Sequence, residues 1–280
     1  QNMSELSELA ENVKLNGIVR KDNWLDIEDE KKARDIIASI KPKKGSKKSW
    51  LSTTLLSQII KVIKFDFKNL SRSLYFINLA KKLELKKIAD KIFDSETELL
   101  GIDFYYNPKS EKPVLDWHCD NAYSGAKDVK KFINPENYAI KFFFYLTDVS
   151  SDNGCLSYIP KSNKIAYTLK KGIFEGAISY TPYWTLSDFR KTIQINNNFN
   201  YLKGILGENI LNEFISKTNF INENNSINHD FDNEMKKGGA IIFDESGIHR
   251  GSKTRLHDRM ALRFFYKKKF KKIKGKNKLK

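Results

Sequence analysis

Cysteine is almost absent from this chain: Cys119 and Cys155 are the only two in 280 residues, and they stand at no metal-ligand spacing. That excludes a disulfide scaffold or a zinc ribbon and makes a reducing, cytoplasmic setting the expectation. The amino end, QNMSELSELAENV, lacks the basic segment and apolar run of a secretory signal. Long hydrophobic runs are missing too. The richest, YAIKFFFYLTDV, is interrupted by Lys141 and Asp148 and falls short of the roughly 20 apolar residues of a membrane span, so no membrane partner is expected. Nor is there an internal repeat or a flexible interdomain linker. A hydrophobic fraction of 40% nevertheless places the chain well inside the folding regime, with one core expected at this length.

A net charge of +16 raises nucleic acid or an anionic surface as partners, but the charge is unevenly spread. The stretch after Tyr266, KKKFKKIKGKNKLK, holds nine lysines and no acid, and without it the net charge falls to +7. A lysine run with no arginine reads as a solvated terminus, so nucleic acid is not expected. The remaining basic balance favours an anionic small molecule as substrate.

The chain divides by pattern into three parts within one structural domain. Residues 1–98 read as helices packing on a core. IEDEKKARDIIASI places acids in its first turn and apolar residues at helical spacing, and TTLLSQIIKVIKF and SRSLYFINLAKKLELKKIADKIF repeat the pattern, with hydroxyl residues as N-caps. Residues 99–270 change character. LLGIDFYYN, KPVLDWHCD, YAIKFFFYLTDV, GCLSYIP, GGAIIFDE and RMALRFFYKK are short, rich in β-branched and aromatic residues, and separated by turn residues. Within this β core the strand signal fades between about 162 and 233. YLKGILGENILNEFISK reads there as helix, NNNFN and NENNSIN read as loops, and the whole reads as an insertion that shapes a pocket. Residues 271–280 form the basic tail.

The chemistry lies in three places. WHCD offers His118 and Asp120 two residues apart, so on a strand an imidazole and a carboxylate leave the same face and can share one metal ion. His249 follows the apolar run GAIIFD as a third donor, and Arg259 follows ten residues later. Two histidines and a carboxylate on one face of an octahedron leave open positions, the arrangement of non-haem iron(II) oxygenases. Two of those positions suit chelating 2-oxoglutarate and one suits O2, and a planar guanidinium suits the distal carboxylate of the co-substrate. In RMALRFFY, alternation sets Arg259, Ala261, Arg263 and Phe265 on one face and Met260, Leu262, Phe264 and Tyr266 on the other. Arg259 beside small Ala261 has room for a ligand, and Arg263 on the same face is a second candidate anchor or a rim ion pair. Tyr105, Tyr106 and Lys141 fall on strands able to face the cavity, and Asn121 and Tyr123 follow the metal strand. Cys119 points away from the metal by alternation, His229 and His257 sit in polar loops, and Asn153 with Gly154 makes a hairpin turn.

Taken together, WHCD, DNGCLSYIPKSNK and ESGIHRGSKTRLHDRMALRFFY resemble the phytanoyl-CoA dioxygenase family of iron(II)/2-oxoglutarate oxygenases over residues 99 to 270. The resemblance implies a mainly β, cupin-like double-stranded β-helix, or jelly roll, flanked by amino-terminal helices. It also implies His118, Asp120 and His249 as iron ligands and Arg259 as the 2-oxoglutarate anchor, with Ser252 similar to a hydroxyl residue that assists that arginine; Tyr106, by its strand position alone, is a further candidate co-substrate contact, with core packing the equal alternative. Lys161 stands where the family has glycine, and Asn163 where it has histidine. The retained Asp120 points to oxygenation and not halogenation. The resulting expectation is hydroxylation, or a related oxidation, of a small molecule with release of succinate and CO2. Two readings stand beside it: a nucleic-acid or protein-modifying dioxygenase, and a jelly-roll binding protein without turnover.

Overall fold

The computed structural model describes residues 3–39, 49–54, 67–120, 134–221 and 229–269. In chain order its elements are α1 (Met3–Asn16), β1 (Ile18–Lys21), α2 (Ile27–Ala38), β2 (Ser49–Thr54), α3 (Phe67–Lys82), α4 (Leu85–Phe93), β3 (Thr97–Asn107), β4 (Ser110–His118), β5 (Ala139–Tyr145), β6 (Leu156–Tyr158), α5 (Ser162–Phe174), α6 (Leu186–Gln194), α7 (Asn196–Leu206), α8 (Glu208–Thr218), β7 (Asp232–Asn233), β8 (Ala240–Asp244), β9 (His249–Thr254) and β10 (Arg259–Lys268). None of the helices among the described residues is long and apolar enough to cross a membrane.

The strands build two antiparallel sheets, one of order β1-β8-β5-β10-β3-β2 and one of order β4-β9-β6-β7. This is the jelly roll expected from the sequence. Alternation along the larger sheet assigns each residue its layer. Ile102, Phe104, Phe142, Phe144, Ile242, Leu262, Phe264 and Tyr266 face outward into a core shared with Leu6, Leu9, Ile37, Phe76 and Ile88 of the amino-terminal helices. Each fully buried side chain of this size contributes about 2 kcal/mol by leaving water. The alternate residues, Phe143, Tyr145, Ile241, Phe243 and Ala261, face inward and meet Leu156 and Tyr158 of the smaller sheet. The insertion is a third apolar cluster, in which Ile165, Leu169, Phe189, Leu202 and Phe214 pack together and against Trp117 and Ile248.

Several local expectations change. Thr53 and Thr54, read as the start of a helix, end β2, and the remainder of TTLLSQIIKVIKF lies outside the described residues, as do NENNSIN, Asn121, Tyr123 and the tail from residue 270. The run from Ser71 to Phe93 is two helices, broken where Glu84 takes a left-handed conformation (φ 55°), and Ser71 lies inside α3 and is not a cap. NNNFN is the first turn of α7 and not a loop; its Asn198 is buried and donates to the Thr192 carbonyl at 2.8 Å. Helix α5 is buried on most sides and so presents no single apolar stripe, whereas α6 buries one face through Leu186, Phe189 and Ile193. Lys161, standing in the family's glycine position, adopts φ 67° at the start of α5, a conformation that costs a non-glycine residue about 1 kcal/mol. Of the tail lysines, Lys267, Lys268 and Lys269 pair with Glu98, Glu136 and Glu96.

Candidate metal and co-substrate site

His118 is the last residue of β4 and His249 the first of β9, and antiparallel register sets them directly opposite one another. Their ring centroids are 4.3 Å apart. Asp120 lies just past the strand end, where its N–H donates to the Glu245 carbonyl at 3.1 Å. Ligand atoms of the three side chains all fall within 4.8 Å of one another. His118 Nε2 is 3.5 Å from Asp120 Oδ1, and His249 Nε2 is 3.5 Å from Asp120 Oδ2. Adjacent corners of an octahedron with bonds of about 2.1 Å are roughly 3 Å apart, so small closures bring these donors onto one ion. Each imidazole is turned by its other nitrogen. His118 Nδ1 bonds the Asp116 carbonyl at 2.6 Å and His249 Nδ1 the Gly247 carbonyl at 2.8 Å. With the proton held on Nδ1, both Nε2 lone pairs face inward, which is how metal-binding histidines are oriented. The residues fit a divalent iron.

The electrostatics keep Asp120 and His249 in their ligating forms. Burial works against ionisation of Asp120, but the nearby Lys141 charge outweighs it and holds the carboxyl well below its usual range. Burial, followed by the charge of His118, lowers His249 to about 4, so its ring is neutral near neutrality. Lys141 on β5 is buried and ion-pairs both Asp120 and Glu245, the latter at 3.1 Å. Lys141, expected on a strand able to face the cavity, does line it, and Glu245, which no spacing rule singled out, shares its charge.

These groups line a cavity of about 440 Å³, with Phe143, Leu156 and Phe243 as its apolar wall and Arg259 and Arg263 in the same lining. The two arginines differ sharply. Arg263 lies against Asp103, with Nε at 3.2 Å and Nη2 at 2.5 Å from Oδ2, and stacks on Phe265. Arg259 is 3% exposed, lies over Phe143 and Tyr145, forms no ion pair with a carboxylate among the described residues, and its Nε has no hydrogen-bond partner. A buried guanidinium left in this condition is costly unless an anion completes it. That is the property expected of the co-substrate anchor, and Arg263 is the rim ion pair.

Other expected residues lie elsewhere. Tyr106 faces the outer core opposite Met260, and its hydroxyl donates to Asp258; Tyr105, its neighbour, is the one that lines the cavity. Ser252 is three residues from His249, so alternation turns it away while Gly251 lines the cavity, and its hydroxyl donates to Cys155 Sγ at 3.5 Å. Cys119 points away from the metal donors as expected, toward the Tyr183 carbonyl. His229 is half-exposed beside Asp232, and the exposed His257 meets Asn153. Trp184, from the insertion, was not anticipated. Its carbonyl accepts from Cys119 N–H at 2.9 Å, Thr185 bridges His118, and the indole lies 5.4 Å from the His118 ring. Only the aromatic cluster PYW hinted at it.

Among solved structures, the fold is similar to EctD from S. alaskensis with bound Fe (15% identity, TM-score 0.55, covering 96% of this chain and 77% of that one). It is also similar to the epimerase SnoN in complex with Fe3+, alpha ketoglutarate and nogalamycin RO (12%, 0.54, 100% and 94%). A third is HygX from Streptomyces hygroscopicus with nickel and 2-oxoglutarate bound (14%, 0.52, 94% and 87%). At these identities the likeness establishes the jelly roll alone. No curated protein matches the chain in sequence. The phytanoyl-CoA dioxygenase (PhyH) profile matches residues 57–259, which include the triad and Arg259. The chain therefore belongs to the phytanoyl-CoA dioxygenase family of iron- and 2-oxoglutarate-dependent oxygenases.

Proposed function

We propose that this protein oxidises a small molecule in the cytoplasm, with iron(II) held by His118, Asp120 and His249 and 2-oxoglutarate anchored by Arg259. The observation that carries the reading is the pairing of the three-donor cluster with a buried Arg259 that meets no carboxylate among the described residues, all in one cavity. Bound there, the metal and co-substrate would supply activation of dioxygen coupled to decarboxylation of 2-oxoglutarate to succinate and CO2.

The side chains contribute position, charge and dryness. His118 and His249 present Nε2 because the Asp116 and Gly247 carbonyls fix their Nδ1 protons. Asp120 stays ionised beside Lys141, and Glu245 shares that lysine's charge. Arg259 binds the distal carboxylate through its planar donors. Phe143 and Phe243 exclude water on the sheet side, and Trp184 bounds the His118 side from the insertion. A cavity of about 440 Å³ supports a small-molecule substrate over a macromolecular one. The cavity cations do not favour an anionic substrate, because Arg263 and Lys141 are paired with acids. Wild-type protein given iron(II), 2-oxoglutarate and oxygen is expected to release succinate, faster with the true substrate present. Equal release by His118→Ala in metal-defined buffer would remove the assignment.

A further inference from the structure

The Asn153–Gly154 pair reads in sequence as a hairpin turn; Asn153 does lie in a turn, its N–H donating to the Ser150 carbonyl at 2.9 Å, but that turn links β5 and β6 in different sheets and closes no hairpin. A turn does not require its asparagine to be buried, yet Asn153 is 1% exposed. Its side chain reaches into the segment joining β9 to β10. Oδ1 accepts from the backbone N–H groups of Leu256 and His257, each at 3.0 Å, and Nδ2 meets the His257 ring at 3.0 Å. Arg255 N–H donates to the Asp152 carbonyl at 3.1 Å and Gly154 N–H to the Lys253 carbonyl at 2.7 Å. Those bonds clamp the segment just ahead of Arg259, and Asp258 is held from the other side by the Tyr106 hydroxyl and by Lys109 N–H. Gly154 completes the arrangement. It has φ 74°, and a Cβ there would stand 2.6 Å from Arg259 Cδ and 3.1 Å from Thr254 Cγ2. The stem of Arg259 therefore lies against a bare Cα.

We propose that Asn153 and Gly154 are positioning residues for the co-substrate anchor: they set where Arg259 presents its guanidinium and so determine selectivity for an oxo acid with a second carboxylate. The proposal rests on the reading of Arg259 as that anchor. Asn153 acts on the backbone ahead of Arg259, and Gly154 on the path of its side chain.

The test is calorimetric titration of the nickel(II)-loaded protein with 2-oxoglutarate and with 2-oxobutyrate, which chelates through the same oxo-acid end but lacks the distal carboxylate. Wild-type protein is expected to prefer 2-oxoglutarate, and Arg259→Ala to erase the preference; an unchanged preference in that variant overturns the anchor reading itself. With that control in place, Gly154→Ala and Asn153→Ala should each reduce the preference about tenfold, the scale of one misdirected charge-assisted hydrogen bond. Nickel and 2-oxobutyrate affinities should stay at wild-type values. Asn153→Asp, which keeps the accepting oxygen for both N–H donors, should retain most of the preference, and the Asn153 pair carries the test if Gly154→Ala does not fold. A preference left intact in Asn153→Ala, or an equal weakening of both ligands, overturns the positioning role.

Discussion

The two faces of the six-stranded sheet come from the same strands, one residue apart, yet they behave as different materials. Toward the helices the sheet presents Phe104, Phe142, Phe144, Leu262 and Phe264, with no charge among them. Toward the smaller sheet it presents Asp103, Lys141, Arg259 and Arg263 between aromatic rings. The outer face stabilises the fold through apolar burial, whereas the inner face carries charges that are each paired or await a ligand. Stability and chemistry are thus separated by strand parity, and a substitution should damage one without the other.

The largest effect should come from the cavity. Asp120→Ala leaves two imidazoles and no carboxylate, so nickel(II) binding by calorimetry and iron-dependent succinate release should both be lost, while the outer core still melts cooperatively. Binding at wild-type affinity would break the distinction. On the outer face, Phe264→Ala should lower unfolding free energy in urea by about 4 kcal/mol, with nickel affinity of the folded fraction unchanged. A parallel loss of metal affinity would mean the two faces are coupled.

Asp244, at the end of β8, sharpens the comparison because it is a buried acid that forms no ion pair among the described residues. Burial raises its carboxyl to about 6. Its folded pKa lies above the ordinary 3.8, so the native state keeps a proton that the unfolded chain releases, and stability falls as pH rises between these values. Asp244→Asn should therefore be no more stable than wild type below pH 4 and more stable by up to about 3 kcal/mol above pH 6. The unpartnered Asn163 Oδ1 can then turn to accept from the new amide. A gain that does not vary with pH would refute this. The smallest effect concerns Lys161, whose φ of 67° is relieved by Lys161→Gly. Thermal stability should rise by about 1 kcal/mol, with co-substrate affinity unaltered.

Strand parity also explains what was legible in the sequence. The alternation in RMALRFFY has a short period and fixes which side of the sheet a residue takes, whereas in WHCD it reaches only to His118, and Asp120, just past the end of β4, is placed by its N–H bond to the Glu245 carbonyl. The same arithmetic, applied to Ser252 and Tyr106, turns them away from the cavity, once β9 is seen to begin at His249 and Met260 to face Tyr106. Pairings between distant segments carry no such local signature. Arg263 could be separated from Arg259 only by finding Asp103 opposite one of them, and Lys141 acquired its role only when Asp120 and Glu245 closed on it. Trp184 was hidden for the same reason, since nothing near it in sequence says that its backbone pairs with the metal strand. In the insertion, α5 is buried on several faces and loses the amphipathic period by which surface helices are recognised.

The central claim is that His118, Asp120 and His249 share one metal ion in the cavity that Arg259 prepares for a dicarboxylate. An anaerobic crystal structure with iron(II) and 2-oxoglutarate tests it most directly. One anomalous peak bonded to both Nε2 atoms and to Asp120 is expected, with the distal carboxylate on Arg259. Metal bound elsewhere, or the carboxylate on Arg263, would contradict it.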